Sequence, residues 1–134
     1  MTLSIGDVAA RAGVSVDTLR YYERESVLPP ARRDSGGRRV YEASILDALT
    51  LVGALRAVGV GIADVRTFMS LKARESVPDR LRGVLERCDV MDARLEERAR
   101  NLRAAKELVQ AMRAEAEAHL ARLAQEESPS SCGA

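Results

Sequence analysis

The sequence contains few of the residues on which most catalytic and metal sites depend. Its 134 residues include one histidine, two cysteines and no tryptophan. Cys88 and Cys132 are widely separated, and neither belongs to a CxxC or Cys/His spacing, which argues against a disulfide framework and a local zinc site. His119 alone offers little for a conventional catalytic constellation. We therefore expect a protein that is not an enzyme and that holds no metal or cofactor.

Long apolar runs are also missing from the sequence. No window approaches the ~18 consecutive apolar residues of a membrane span, and the N-terminus lacks the basic segment and apolar run of a secretory signal. A typical domain takes roughly 100–200 residues. We expect a cytoplasmic protein of one or two small domains, with no membrane partner.

Aromatic residues are scarce and unevenly placed. The three tyrosines and the single phenylalanine all lie before residue 77. Residues 77–127 have no aromatic side chain and are rich in Ala, Leu, Arg and Glu, a composition typical of one long helix. The chain is therefore predicted to divide into a compact domain over residues 1–76, a long helix over 77–127 and a flexible tail over 128–134.

Apolar residues in the second half recur at alternating steps of three and four, the spacing of a coiled-coil seam. Arg98 and His119 interrupt the pattern. So narrow a stripe needs a partner helix, and a second copy of the chain is the simplest one. Cys88 would pack in the seam, with a redox role as the alternative. The predicted dimerisation residues are Leu81, Val84, Cys88, Met91, Leu95, Leu102, Val109 and Met112.

Two short helices joined by a tight turn are predicted near the N-terminus. Ser4, with Asp7 three residues later, is typical of a capped helix start, and Gly13 ends that helix. Ser15 caps a second helix, which runs from Val16 to about Glu25. This is the helix-turn-helix arrangement.

A loop or short hairpin, termed the wing, follows Pro29-Pro30 over residues 32–39, where Gly and charged residues disfavour a continuous helix. A third helix is predicted from Glu42 or Ala43 to about Val58. Gly59-Val60-Gly61 ends it, and a fourth helix runs from Ile62 to about Lys72. The predicted fold is all-α, a winged helix-turn-helix domain that leads into a long helix.

Positive charge is concentrated where this domain would meet a partner. Residues 11–41 contain seven arginines against four acids, although the whole chain carries a net charge of only +1. Arginine binds phosphate, or the O6 and N7 atoms of guanine, through two parallel hydrogen bonds. Double-stranded DNA is the predicted partner. Two alternatives stay open: the wing is a solvated charged loop, and Arg20 pairs along its own helix with Asp17 or Glu23.

Several sequence blocks resemble the MerR family of transcriptional regulators. They are Ile5-Gly6-Asp7-Val8-Ala9, Gly13-Val14-Ser15, Thr18-Leu19-Arg20-Tyr21-Tyr22-Glu23, Leu28-Pro29-Pro30, Gly37-Arg38-Arg39-Val40-Tyr41 and Leu55-Arg56-Ala57-Val58-Gly59. The resemblance covers residues 4–72, and the long helix is similar to the family's dimerisation helix.

The resemblance implies a homodimer, joined by an antiparallel coiled coil, that binds a pseudo-palindromic operator in a promoter. Such regulators act on RNA polymerase indirectly, by distorting the promoter DNA. Either Tyr21 or Tyr22 is expected to be packed in the core and not to contact DNA. The implied DNA-binding residues, together with neighbouring candidates in the same elements, are Ser15, Thr18, Arg20, Tyr21, Tyr22, Arg33, Arg38, Arg39, Tyr41 and Arg56.

Some positions depart from the family pattern. Ser26 stands where the family usually has glycine, at a cost of about 1 kcal/mol if the position requires a positive φ. The cysteines of the family's metal sensors have no counterparts, so a small-molecule or redox effector is left open and unidentified. The alternative function is an architectural or chromosome-anchoring DNA-binding protein with a similar domain.

Overall fold

The computed structural model describes residues 2–70 and 76–128. Its elements are β1 (Thr2–Ser4), α1 (Ile5–Ala12), α2 (Val16–Arg24), β2 (Arg32–Arg33), β3 (Arg39–Glu42), α3 (Ile45–Ala57), α4 (Ile62–Met69) and α5 (Val77–Glu127). The predicted all-α class with a wing and a long C-terminal helix is confirmed. The predicted end of the fourth helix at Lys72, Cys132 and all but the first residue of the tail lie outside the described residues.

Local signals at the first two helices act as predicted. Ser4 and Asp7 form a reciprocal capping box, in which each side chain accepts a hydrogen bond from the other residue's backbone N–H. Gly13 ends α1 in the left-handed conformation, with φ 68°. Ser15 then caps α2 by accepting a hydrogen bond from the Thr18 N–H at 3.0 Å. Gly13 and Ser15 therefore set the turn between the two helices, whereas Ser4 and Asp7 fix the start of α1.

A three-stranded antiparallel sheet completes the domain, in the order β1-β3-β2. Strand β1 is absent from the prediction. It pairs with β3, Thr2 opposite Glu42 and Ser4 opposite Val40. Because Glu42 belongs to this ladder, it cannot begin a helix, and the predicted start of the third helix at Glu42 or Ala43 is wrong. Helix α3 begins at Ile45.

The core lies where α1 packs against α2, α3 and β3, and where α3 packs against α4. Its largest fully buried side chains are Leu19, Val8, Val52, Val60 and Val65. Burying a side chain of this kind stabilises the fold by about 1.5–3 kcal/mol. The core therefore holds helix α2 in place through Leu19.

The chain divides into two units, Met1–Met91 and Asp92–Ala134. The first includes the start of α5, where the Arg87 Nε donates to the Phe68 carbonyl at 3.0 Å and Met91 is 5% exposed. Met91 is thus buried within a single chain, which corrects its assignment to the interface between copies. In the second unit, Leu102, Val109 and Met112 are at least 60% exposed. The boundary at residue 76 and the pairing of α5 stay predictions.

Helices α2 and α3 end in the same hydrogen-bond pattern, the Schellman motif. After α2, the N–H groups of Ser26 and Val27 donate to the Glu23 and Tyr22 carbonyls; after α3, those of Gly59 and Val60 donate to the Arg56 and Leu55 carbonyls. The residue after each helix cap has a positive φ, which is 86° for Gly59 after α3 and 58° for Ser26 after α2. A serine therefore occupies a left-handed position that glycine tolerates better.

Replacing Ser26 with glycine is expected to stabilise the protein by about 1 kcal/mol, because the strain of a left-handed Cβ is removed. Chemical unfolding monitored by circular dichroism measures this change. Gly59→Ser is the matched control and should destabilise by a similar amount. A Ser26→Gly variant with unchanged or lower stability would show that the backbone at this position is not strained.

Candidate nucleic-acid interface

The candidate interface is built on α2 and the wing. Helix α2 exposes Arg20 and Arg24, which are four residues apart and so lie on one face of the helix. Residue Arg39 stands at the base of the wing on β3. These three arginines, with Ile5 and Glu23, line one pocket of about 400 Å³. We call this set of three arginines the arginine cluster.

The wing is a two-stranded ribbon closed by a turn over residues 34–38. Asp34 shapes the turn, since its carboxylate accepts hydrogen bonds from the backbone N–H groups of Gly36 and Arg38, both at 2.9 Å. The Arg33 Nη1 donates to the Gly37 carbonyl at 2.8 Å and so lies along the turn. Among the described residues, the Arg38 side chain forms no hydrogen bond or ion pair and can reach outward.

Glu23 connects α2 to the wing. Its Oε1 accepts a hydrogen bond from the Tyr41 hydroxyl, and its Oε2 accepts one from the Arg39 Nη1 at 3.3 Å. The Glu23 side chain is only 13% exposed, whereas that of Arg39 is 47% exposed. Arg39 can therefore keep this contact and still present part of its guanidinium to a ligand.

Tyr41 has a different role from the predicted one. It is 4% exposed and belongs to the core, so its ring is not available for the DNA contact that the resemblance implied. Burial, together with the hydrogen bond and the negative charge of Glu23, raises the pKa of Tyr41 to about 12 from its ordinary 10.0, although Arg39 and Arg20 act in the opposite direction. The hydroxyl therefore stays protonated and donates to Glu23 throughout the neutral range.

The remaining predicted contacts fall into three groups. Ser15 and Thr18 lie at the start of α2, where their hydroxyls hydrogen-bond each other at 2.9 Å. Tyr21 and Tyr22 are both half-buried, with ring centroids 5.8 Å apart, so the structure does not divide them into one buried and one exposed residue. Arg56 does not line the pocket of the arginine cluster; its Nη1 donates to the Val60 carbonyl at 3.1 Å.

Two residues of the site were missed by sequence reasoning. Arg24 could have been found, because it lies one helical turn after Arg20 on the same face. Glu23 was considered only as a partner for Arg20, and among the described residues Arg20 forms no ion pair with Glu23 or with Asp17. No local signal pairs Glu23 with Arg39 and Tyr41, since both lie well beyond one helical turn and are brought close only by the fold.

Tyr41→Phe is expected to change how stability depends on pH. A tyrosine whose pKa is raised on folding stabilises the native state fully below pH 10, and that contribution disappears as the pH rises from 10 to 12. The loss should approach roughly 2–3 kcal/mol for a shift of this size. The Phe variant lacks this loss, so its stability should converge on that of the parent protein as the pH rises.

Urea unfolding at pH 8, 10 and 11 measures this convergence, with Tyr21→Phe as the control that keeps Tyr41. A constant stability difference between the parent and the Tyr41→Phe variant would contradict the prediction.

The described residues offer little for other kinds of site. Within residues 2–70 and 76–128, no three His, Cys, Asp or Glu side chains are grouped so that they could hold a metal ion. In the same part of the chain, no helix is both long enough and apolar enough to cross a membrane.

A winged helix-turn-helix domain with an arginine cluster across α2 and the wing defines a DNA-binding regulator of the winged-helix class. Residues 3–72 match the family model described as MerR HTH family regulatory protein. The chain belongs to the MerR family of transcriptional regulators, which confirms the resemblance.

The chain is also similar to named proteins. The nodulation protein NolA of Bradyrhizobium sp. (strain NC92) is 36% identical over 101 residues, which cover 73% of this chain and 42% of NolA. The chain thus spans about two fifths of that relative's length. A putative MerR family transcriptional regulator from Listeria monocytogenes superimposes with a TM-score of 0.78, at 27% identity, over 93% of this chain and 92% of that one. HiNmlR, described as a MerR family regulator lacking the sensor domain and bound to promoter DNA, superimposes with a TM-score of 0.56, at 26% identity, over 87% of this chain and 94% of that one.

Proposed function

We propose that the protein is a homodimeric, sequence-specific regulator that binds a pseudo-palindromic operator in a promoter and controls transcription by distorting the DNA. The observation that carries the proposal is the arginine cluster, in which Arg20 and Arg24 of α2 line the same pocket as Arg39 of the wing. Arginines on two adjacent elements can bind neighbouring phosphates and base edges of one duplex. The promoter DNA bound by HiNmlR, which shares this fold, supports the same partner here.

The exposed seam of α5 supports a dimer. Leu102, Val109 and Met112 are 60–73% exposed, and they recur at the coiled-coil spacing. A second copy of the same helix would cover them. Two recognition helices would then read the two halves of one operator, whose symmetry matches that of the protein.

Distortion of the operator supplies a mechanism of control. Bending a site of 20–30 base pairs costs about 1–6 kcal/mol. A small change in how the two halves of the dimer are held would therefore decide whether the bent or the straight promoter is bound. RNA polymerase would respond to the shape of the promoter without touching the regulator.

Footprinting on the DNA upstream of the protein's own gene and of neighbouring genes tests the proposal. We expect one protected segment with two related half-sites, and slower migration in gels when the segment lies at the centre of a longer fragment, which reports a bend. Protection without any preferred segment would contradict sequence-specific regulation. Many comparable sites across the genome would instead favour the architectural alternative.

A further inference from the structure

Glu23 lies at an unexpected place for an acidic residue. It is on the recognition helix and lines the same pocket as the arginine cluster. A carboxylate there repels DNA phosphates and offsets part of the positive charge that attracts them. Its side chain is nevertheless held in place, 13% exposed, by two hydrogen bonds from β3.

The two oxygens of Glu23 are used separately. Oε1 accepts from the hydroxyl of Tyr41, which is fixed in the core at 4% exposure. Oε2 accepts from Arg39, two residues earlier on β3. Residues two apart on a strand point to the same face, so both donors approach Glu23 from one side. Tyr41 therefore orients the carboxylate, and the carboxylate orients the Arg39 guanidinium.

We infer that Glu23 is a positioning residue for DNA recognition, which fixes Arg39 of the wing relative to Arg20 and Arg24 of the recognition helix. A fixed spacing favours the one duplex geometry that matches it, because an arginine already held in its binding orientation loses less conformational entropy on contact. The negative charge of Glu23 simultaneously lowers affinity for DNA in general. Glu23 thus increases the ratio of operator affinity to affinity for other DNA. This role rests on the proposed function.

The test compares affinities for two duplexes, one spanning the segment protected in footprinting and one with the same bases shuffled. Glu23→Gln should bind the shuffled duplex more tightly and the protected duplex more weakly, so that the affinity ratio falls by roughly tenfold, a typical coupling for charged residues in direct contact. In an Arg39→Ala background, Glu23→Gln should change the ratio by less than about twofold, because the residue through which Glu23 acts is gone.

Two further variants separate positioning from charge and from folding. Tyr41→Phe keeps the net charge but removes the anchor of Glu23, and it should lower the ratio in the same direction. Glu42→Gln is the matched control. Like Glu23→Gln, it removes one negative charge and the ion pair of that charge with an arginine, here Arg32 at 3.5 Å. It should change both affinities in parallel and leave the ratio unaltered.

The outcomes distinguish this role from the alternatives. If Glu23→Gln raises both affinities equally, Glu23 acts only as a charge, and the inference is overturned. It is also overturned if both affinities fall in parallel with thermal stability, which is the result of a purely structural role. A parent protein that binds both duplexes equally would contradict the proposed function itself. If the parent protein discriminates between the two duplexes and the Glu23→Gln variant does so equally well, only the inference about Glu23 is overturned.

Discussion

Leu102→Glu is expected to convert the protein into monomers and to weaken operator binding by a factor of about 10²–10⁴. Leu102 is 64% exposed in the single chain, so the substitution leaves the fold of the protomer intact. In a coiled-coil seam the same side chain is buried, and a carboxylate there loses its hydration without gaining a partner. A dimer that binds two half-sites at once also binds DNA far more tightly than a monomer binds one half-site.

Analytical ultracentrifugation and operator binding measure the two effects of Leu102→Glu. Ala114→Glu is the matched control, since Ala114 lies on the opposite face of α5 from the seam and receives the same charge. The control should remain a dimer with the parent's affinity. Dimers that persist in the Leu102→Glu variant would show that the seam at this position does not join two copies.

Arg20→Ala is expected to lower operator affinity by about 1–3 kcal/mol, a loss of several-fold to more than a hundredfold. Arg20 is exposed on α2 within the arginine cluster. Among the described residues its side chain has no hydrogen bond or ion pair to give up, so its full donor set is available to DNA. An alanine at this exposed position of a helix should leave stability nearly unchanged.

Arg38→Ala provides the comparison for Arg20. Arg38 lies at the wing turn, where we expect it to contact a DNA phosphate. Losing that contact in Arg38→Ala should reduce affinity for all sequences alike and lower the salt dependence by about one ion. Binding titrations on the operator and on shuffled DNA, at several salt concentrations, measure both variants. If Arg20→Ala weakens binding to the two duplexes equally, Arg20 contacts only the backbone and does not read sequence.

Short-range signals predicted most of the helices. Ser4, Asp7, Gly13 and Ser15 act within one turn of their own positions, and the structure confirms each of them. The sequence pattern could not reveal strand β1, because Thr2 owes its extended conformation to Glu42, far along the chain. The misplaced start of α3 has the same cause.

The candidate site was likewise predictable from the sequence only in part. Clustered arginines and the helix-turn-helix spacing predicted a DNA-binding surface from composition and local order alone. The roles of Tyr41 and Glu23 could not be predicted, since neither residue has a partner within its own element. Met91 was assigned to the dimer by its period, yet it is buried in the first unit of the single chain.

The sequence by itself determined the family, the winged helix-turn-helix domain, the long aromatic-free helix and the arginine-rich surface. Each depends on residue type and on spacing within a few turns, where capping, turn formation and apolar periodicity operate. Only the tertiary structure decided which side chains support that surface and which form it. Burial of Tyr41 and its bond to Glu23 join residues from distant parts of the chain, and such contacts form only once the core has brought α2 against β3.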